Sequence, residues 1–244
     1  VVMMKCAELL GRKDDAKAFR ALASEVKDAF NKAFYHGNGI YAKGEMTALA
    51  CALYQGLCPE KESAKTAAKL NETDLANGCR TDFGILGAKY VPRALADYGY
   101  AETAYRMITQ PAFPGWVDWI NRGATTLWET WNGDSSLNHI MFGDIAAWMM
   151  QYLAGIVPDE KHPGFSGLTI RPFAPEGLDS LNVSYLTPQG KVSVKWQKGN
   201  GRFRLHLAVP KGIPCRVRLP DGSRREQKTI SASYECAQKK GFVS

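Results

Sequence analysis

The 244-residue sequence has no apolar run near the roughly 18 residues that a membrane span needs, so no helical membrane segment is expected. Its opening Val1-Val2-Met3-Met4 runs at once into Lys5 and Glu8 and does not read as a signal peptide. The first residue is not methionine. Either something was removed upstream or this is a piece of a longer polypeptide, whose N-terminal part would then be a partner of this chain. The six cysteines form no CxxC pair, and none of the four histidines lies at metal-ligand spacing from them. A zinc site is not expected, and nothing in the sequence asks for a cofactor. Cys51 and Cys58 stand seven apart on an expected helix, about 10 Å between α-carbons, too far for a disulfide. The cysteines read as small buried hydrophobes, and the compartment is left open.

Acidic residues are scarce in one part only. Residues 160–244 hold 15 Lys/Arg and 6 Asp/Glu, a net of +9, whereas residues 1–159 hold 16 and 18, a net of −2. In the basic part the charges alternate with apolar residues, as in Lys191-Val192-Ser193-Val194-Lys195-Trp196. That is the pattern of a strand's wet face. A solvated surface explains it better than an acidic partner, and with no stacking-aromatic motif nucleic acid is not expected.

Two periods divide the chain. From Asp14 to His36, Phe19, Leu22, Val26, Phe30 and Ala33 recur at helical spacing as one apolar stripe. Further helices are expected over Met46–Leu57, Glu60–Leu70, Val91–Tyr98, Ala101–Thr109 and Leu137–Leu153, the last stopped by Gly155. After Pro158 the period becomes two: Val192, Val194 and Trp196, then Phe203, Leu205, Leu207 and Val209, then Val217 and Leu219. Pro188-Gln189-Gly190, Gly199-Asn200-Gly201 and Pro220-Asp221-Gly222 supply turns. An all-α domain over 1–157 and an antiparallel β-sandwich over 158–244 are expected.

The densest chemistry lies in Gly123-Ala124-Thr125-Thr126-Leu127-Trp128-Glu129-Thr130-Trp131, with Trp116 and Trp119 upstream and His139 downstream. Pyranose C–H faces pack on aromatic rings while their hydroxyls need carboxylate and imidazole partners, so this mixture suits a sugar site. Composition alone equally allows core tryptophans and a Glu129 that merely sits at a helix start.

The nine residues from Gly123 to Trp131, followed by Asn138-His139 before an apolar helix, resemble glycoside hydrolase family 78, the bacterial α-L-rhamnosidases. Gly84-Ile85-Leu86-Gly87 and Gln110-Pro111-Ala112-Phe113-Pro114-Gly115-Trp116 add to the likeness, as do Gly167–Pro172 and Gly190–Trp196 in the sandwich. The resemblance implies a partial (α/α)6 barrel followed by the sandwich, and inverting hydrolysis of terminal α-L-rhamnosyl residues from a glycoside or oligosaccharide. It further implies that Glu129 is the general base and that His139 contacts the sugar. Trp128, Trp131 and Trp116 are then candidate sugar contacts. Asn138 would cap the last helix.

The departures are equally specific. Residues 1–157 supply about half the helices of such a barrel, and the family's general acid falls upstream of Val1, so this chain alone would be inactive. Glu45 stands where Gln is expected, and Asp82-Phe83 where Thr-Gly is expected; an ion pair is the favoured role for Asp82. Two other readings remain: another inverting (α/α)6 enzyme such as an α-L-fucosidase-like glycosidase, or a non-catalytic carbohydrate-binding remnant. A phosphorylase is disfavoured, because no phosphate-binding loop lies near Glu129.

Overall fold

The computed structural model describes residues 1–227 and 230–238; the end of the expected 158–244 domain lies outside the described residues. Eight α-helices come first: α1 (Val2–Leu9), α2 (Lys13–Phe34), α3 (Met46–Tyr54), α4 (Glu60–Ala76), α5 (Ile85–Asp97), α6 (Ala101–Thr109), α7 (Trp116–Asn121) and α8 (Asp144–Trp148). The pairs α1–α2, α3–α4 and α5–α6 pack as consecutive hairpins, while α3 packs on α5 and α5 on α8. This gives two layers of a helical barrel wall, as a partial (α/α)6 barrel requires. Leu49, Leu70, Val91, Leu95 and Met107 fill the space between the layers and are essentially inaccessible. Asp14 and Asp15 in the first turn of α2, and Glu60 and Glu62 in that of α4, face the positive helix ends.

The helices depart from expectation in several places, α1 and α7 being additional to those expected. The helix expected at Val91 begins six residues earlier and carries Pro92 inside it. Burial of Gly87, Ala88 and Val91 outweighs the backbone bond that proline removes, and the Pro92 carbonyl accepts from Trp148 Nε1 at 3.0 Å. The single helix expected over Leu137–Leu153 is broken into a 3₁₀ turn (Ile140–Phe142), α8 and a π turn (Met149–Leu153). Leu137 to His139 are held by the motif loop described below and cannot join it. In α2, the stripe is not uniformly covered: Phe30 packs into the core, but Leu22 and Val26 are 54% and 52% exposed.

The second unit stacks two four-stranded sheets, β1 (Ile156–Pro158), β2 (Leu168–Ile170), β6 (Cys215–Arg218) and β7 (Arg224–Gln227) on β3 (Ser180–Thr187), β4 (Gly190–Gly199), β5 (Arg202–Ala208) and β8 (Ser231–Ala237). All pairings are antiparallel except β2–β6, which is parallel. Val192, Val194, Trp196, Phe203, Leu205 and Leu207 all point between the sheets. The β4–β5 turn is Asn200-Gly201, with φ of 50° and 72°, the left-handed pair that a two-residue hairpin demands. All six cysteines are free.

The units share a seam. Trp196 Nε1 donates to the Leu153 carbonyl at 2.8 Å, the Phe173 N–H donates to Tyr152, and Leu178 and Leu181 touch both cores.

One buried group carries a stability prediction. Asp74 on α4 is fully inaccessible, with no hydrogen-bond partner for either carboxylate oxygen among the described residues. Burial pushes its pKa up to about 7, against the attraction of Arg106. The folded state therefore keeps a proton that the unfolded chain releases near pH 4. Stability present below about pH 4 is lost as pH rises towards 7, by on the order of a few kcal/mol. Thermal midpoints compared at pH 4.5 and 8 should fall for the parent and fall less for Asp74→Asn; parallel pH slopes would contradict this.

Candidate active site

The Glu129 loop is built by two extended segments that pair without forming a named strand. The His139 N–H donates to the Leu127 carbonyl at 2.8 Å and the Glu129 N–H to the Ser136 carbonyl at 2.9 Å. The Thr126 hydroxyl closes on the Leu137 carbonyl. Between these segments, Thr130 and Asp134 clasp each other at 2.6 Å, and Gly133 turns the chain with φ of 73°. A β-carbon on Gly133 would sit 2.6 Å from the Trp128 ring, so the turn lies directly on that indole.

Glu129 is half-buried and forms no ion pair among the described residues. Its Oε2 accepts from the Ser135 hydroxyl at 2.7 Å and from the Ser136 N–H at 3.3 Å. These donors, the Ser135 hydroxyl foremost, hold the carboxyl below the usual glutamate range, and His139 adds to this when protonated. The carboxylate is thus ionised at neutral pH and acceptor-only, suited to take a proton rather than give one.

His139 lies on the facing segment, also half-buried. Its Nδ1 accepts from the Met141 N–H at 3.2 Å, which places the ring proton on Nε2 and leaves that nitrogen as a donor for a ligand hydroxyl. This bond makes His139, not Asn138, the cap of the 3₁₀ turn. The expectation for Asn138 fails because that residue lies in the paired segment before the turn starts.

The tryptophans divide. Trp131 is half-buried, donates from Nε1 to the Phe83 carbonyl at 2.8 Å, and lies 4.2 Å from Phe142 and 4.8 Å from Trp119, centroid to centroid. Trp116 and Trp128 are 7% and 8% exposed. Trp116 stands edge-on to Trp131 and donates to the Phe142 carbonyl; Trp128 is covered by Gly133 and by the Arg122 guanidinium, 4.7 Å from its ring centre. Packing covers most of both indoles, which form the floor beneath the loop, and of the two only Trp116 also lines the cavity beside it. A cavity of about 400 Å³ beside this floor is lined by Trp116, Trp119, Ile120, Thr126 and Leu127, among others, with neither Glu129 nor His139 among its lining residues.

Three contributors were not legible beforehand. Arg122 stacks on Trp128, donates to the Trp131 carbonyl at 3.1 Å and also to that of Asn132, and is steadied by Asp118 at 3.4 Å. Its place just before the motif and four residues after Asp118 was the available signal. Ser135 and Ser136 carried none beyond their position ahead of Asn138-His139. Asp82 is exposed and forms no ion pair among the described residues, contrary to expectation, while Glu45 precedes α3 and accepts from the Lys43 N–H at 3.0 Å.

A helical-hairpin wall with a carboxylate loop at its edge, continued by a β-sandwich, is the fold of part of a six-hairpin glycosidase domain followed by its C-terminal domain. Residues 1–153 match the bacterial alpha-L-rhamnosidase 6 hairpin glycosidase domain and residues 155–233 the bacterial alpha-L-rhamnosidase C-terminal domain, and the chain belongs to this family. An alpha-L-rhamnosidase of Formosa agariphila is 30% identical over 246 residues, covering 94% of this chain and 26% of that protein. One from Streptomyces avermitilis is 29% identical, covering 91% and 23%. The crystal structure of the native Aspergillus terreus α-L-rhamnosidase superposes with a TM-score of 0.91 at 25% identity, covering 96% of this chain and 29% of its own. That of the S. avermitilis enzyme complexed with L-rhamnose gives 0.89 at 26%, covering 96% and 25%. The chain thus spans about a quarter of the length of the curated relatives it matches.

Proposed function

We propose that this chain is the base-bearing part of an inverting α-L-rhamnosidase, in which Glu129 activates the attacking water and His139 donates from Nε2 to a hydroxyl of the bound rhamnosyl residue. The observation that carries the reading is the setting of Glu129: held ionised to lower pH by two serine donors, unpaired with any cation among the described residues, and on the segment hydrogen-bonded to that of His139. A base needs these properties. The substrate class rests on family membership and on the relative whose structure holds L-rhamnose.

Inversion requires a second carboxyl group, protonated, about 6.5–9.5 Å from the base across the scissile bond. Asp134, the nearest acid in sequence, does not qualify: the Thr130 hydroxyl holds its pKa down, so it is ionised too. As the family resemblance implies, the acid is assigned to the remainder of a longer polypeptide, whose helices would also cover Leu22 and Val26 of α2.

The test uses the longest natural polypeptide carrying this sequence with an aryl α-L-rhamnoside, followed by NMR from the first seconds. β-L-Rhamnose should form first and mutarotate afterwards, and the 244-residue chain alone should give no turnover. First-formed α-L-rhamnose would refute inversion, and turnover by the short chain would place the acid within it.

A further inference from the structure

Part of the basic excess of the C-terminal unit gathers on its first sheet; the other sheet carries Lys191, Lys195 and Lys198 on β4 and Arg202 and Arg204 on β5, the last two within ion-pair reach of Glu235. The inward residues of the first sheet, Ile156, Leu168, Ile170, Cys215, Val217 and Gln227, are buried, and alternation turns the residues between them outward. One outward rung runs Val157–Thr169–Arg216–Glu226 by register, and in the next Arg218 is paired directly with Arg224. Arg171 follows β2 one residue past Ile170, which is paired with Val217, and so reaches this same rung. Together with Arg225 these residues line an open concavity of about 500 Å³.

The cations here are all arginines, whereas the lysines of this unit's strands (Lys191, Lys195 and Lys198) lie on β4 of the other sheet. A guanidinium offers a planar fork that matches a carboxylate or sulfate with two parallel bonds; an ammonium does not. Two of the forks are braced by acids at the margin. Asp159 holds Arg216 at 2.8 Å and Asp97 of α5 holds Arg171 at 3.7 Å. Arg218 and Arg224 form no ion pair among the described residues, although like charges directly opposite on a sheet repel. An oxyanion seated between them would relieve that repulsion. Thr169 and Val157 on the adjoining rung give the same concavity a hydroxyl and an apolar wall.

We propose that this outer face binds the oxyanions of an acidic polysaccharide, the carboxylate of a uronic acid or a sulfate ester, with Arg218 and Arg224 as the central fork. The face lies on the sandwich, apart from the Glu129 loop, and would hold a charged chain independently of rhamnoside cleavage. A nucleic-acid ligand is the poorer fit, since among the described residues no aromatic side chain lines the concavity for base stacking.

The experiment is calorimetric titration of the longest natural polypeptide carrying this sequence, with no turnover involved, so its outcome is independent of the reading above. The probes are oligogalacturonate, a sulfated galactan oligosaccharide and a neutral galactan oligosaccharide of equal length. Binding of at least one acidic probe and not of the neutral one is expected, and which of the two binds identifies the oxyanion. The Arg218→Ala/Arg224→Ala variant should weaken it roughly tenfold or more. Arg218→Lys/Arg224→Lys, which keeps the charge without the fork, should recover only part of the loss. Lys191→Ala/Lys195→Ala, which removes two charges from the other sheet, should bind like the parent. The proposal is overturned if neither acidic probe binds, if the neutral probe binds equally, or if a single-stranded oligonucleotide of equal charge binds as tightly. Full recovery by the lysine pair, or an equal loss in the β4 lysine variant, would also overturn it by reducing the effect to diffuse charge. Because these side chains stand on the sheet's outer face, thermal midpoints of the variants serve as the folding control.

Discussion

Glu129→Gln, made in the longest natural polypeptide carrying this sequence, is expected to lower kcat on α-L-rhamnosides by about 10²–10⁴, the usual contribution of a positioned base. Glutamine keeps the size of the side chain, and its amide oxygen can still accept from Ser135 and Ser136, so the loop has no reason to rearrange. KM should change little, because the lost interaction is with water rather than with the sugar. The pH profile adds an independent reading. A carboxyl held down by the Ser135 hydroxyl keeps its base function until pH falls through that lowered pKa, so the acid limb should lie below the ordinary glutamate range. Removing the largest cause with Ser135→Ala should move that limb to higher pH while leaving the plateau rate nearly intact. Near-normal turnover of Glu129→Gln, or an acid limb indifferent to Ser135, would take Glu129 out of the role of base.

The largest stability loss from a single methyl group is expected at Gly155. This residue follows the π turn with φ of 73°, and its carbonyl accepts from the Arg171 N–H at 2.9 Å. A β-carbon there would stand 2.2 Å from the Arg171 carbonyl carbon and 2.3 Å from the Pro172 nitrogen. Both are backbone atoms, so no side chain can swing aside; the first strand of the sandwich must shift from the helical unit. Left-handed backbone costs about 1–2 kcal/mol for alanine, and forced overpacking about 1–3 kcal/mol more. Gly155→Ala should therefore lose about 2–5 kcal/mol in denaturant unfolding. Gly56→Ala is the matched comparison: φ is 66° and nothing lies within 4 Å of the added carbon, so only the backbone term, about 1–2 kcal/mol, should be lost. Equal losses at both positions would show that the close approach at Gly155 contributes nothing.

The same two positions mark how far the amino-acid sequence reaches. Gly155 was legible as a helix stop, because a left-handed residue after an apolar periodic run is a local matter. That Arg171 and Pro172 would lie against its α-carbon was not, since those residues are sixteen and seventeen positions away. The sandwich strands from Val192 to Val209 were readable because period-two alternation and the Asn200-Gly201 turn are properties of adjacent residues. β3 and β8, whose side chains are mostly exposed or half-buried, lacked that contrast. The Trp-Glu-x-Trp motif pointed to Glu129 and His139 but not to their setting. Ser135 and Ser136 reach Glu129 only after a turn folds back over Trp128, and Arg122 fastens that turn from outside. Trp128 and Trp131 are three apart and identical in kind, yet Trp128 is sealed beneath the turn while Trp131 stays half-buried. Sequence alone determined most of the helices, the strands from Val192 to Val209 and which carboxylate is singular, because backbone periodicity and turn chemistry act over a few residues. Tertiary structure decided which faces are covered, which indoles become floor, and which donors keep Glu129 ionised, because each depends on contacts between segments that only folding brings together.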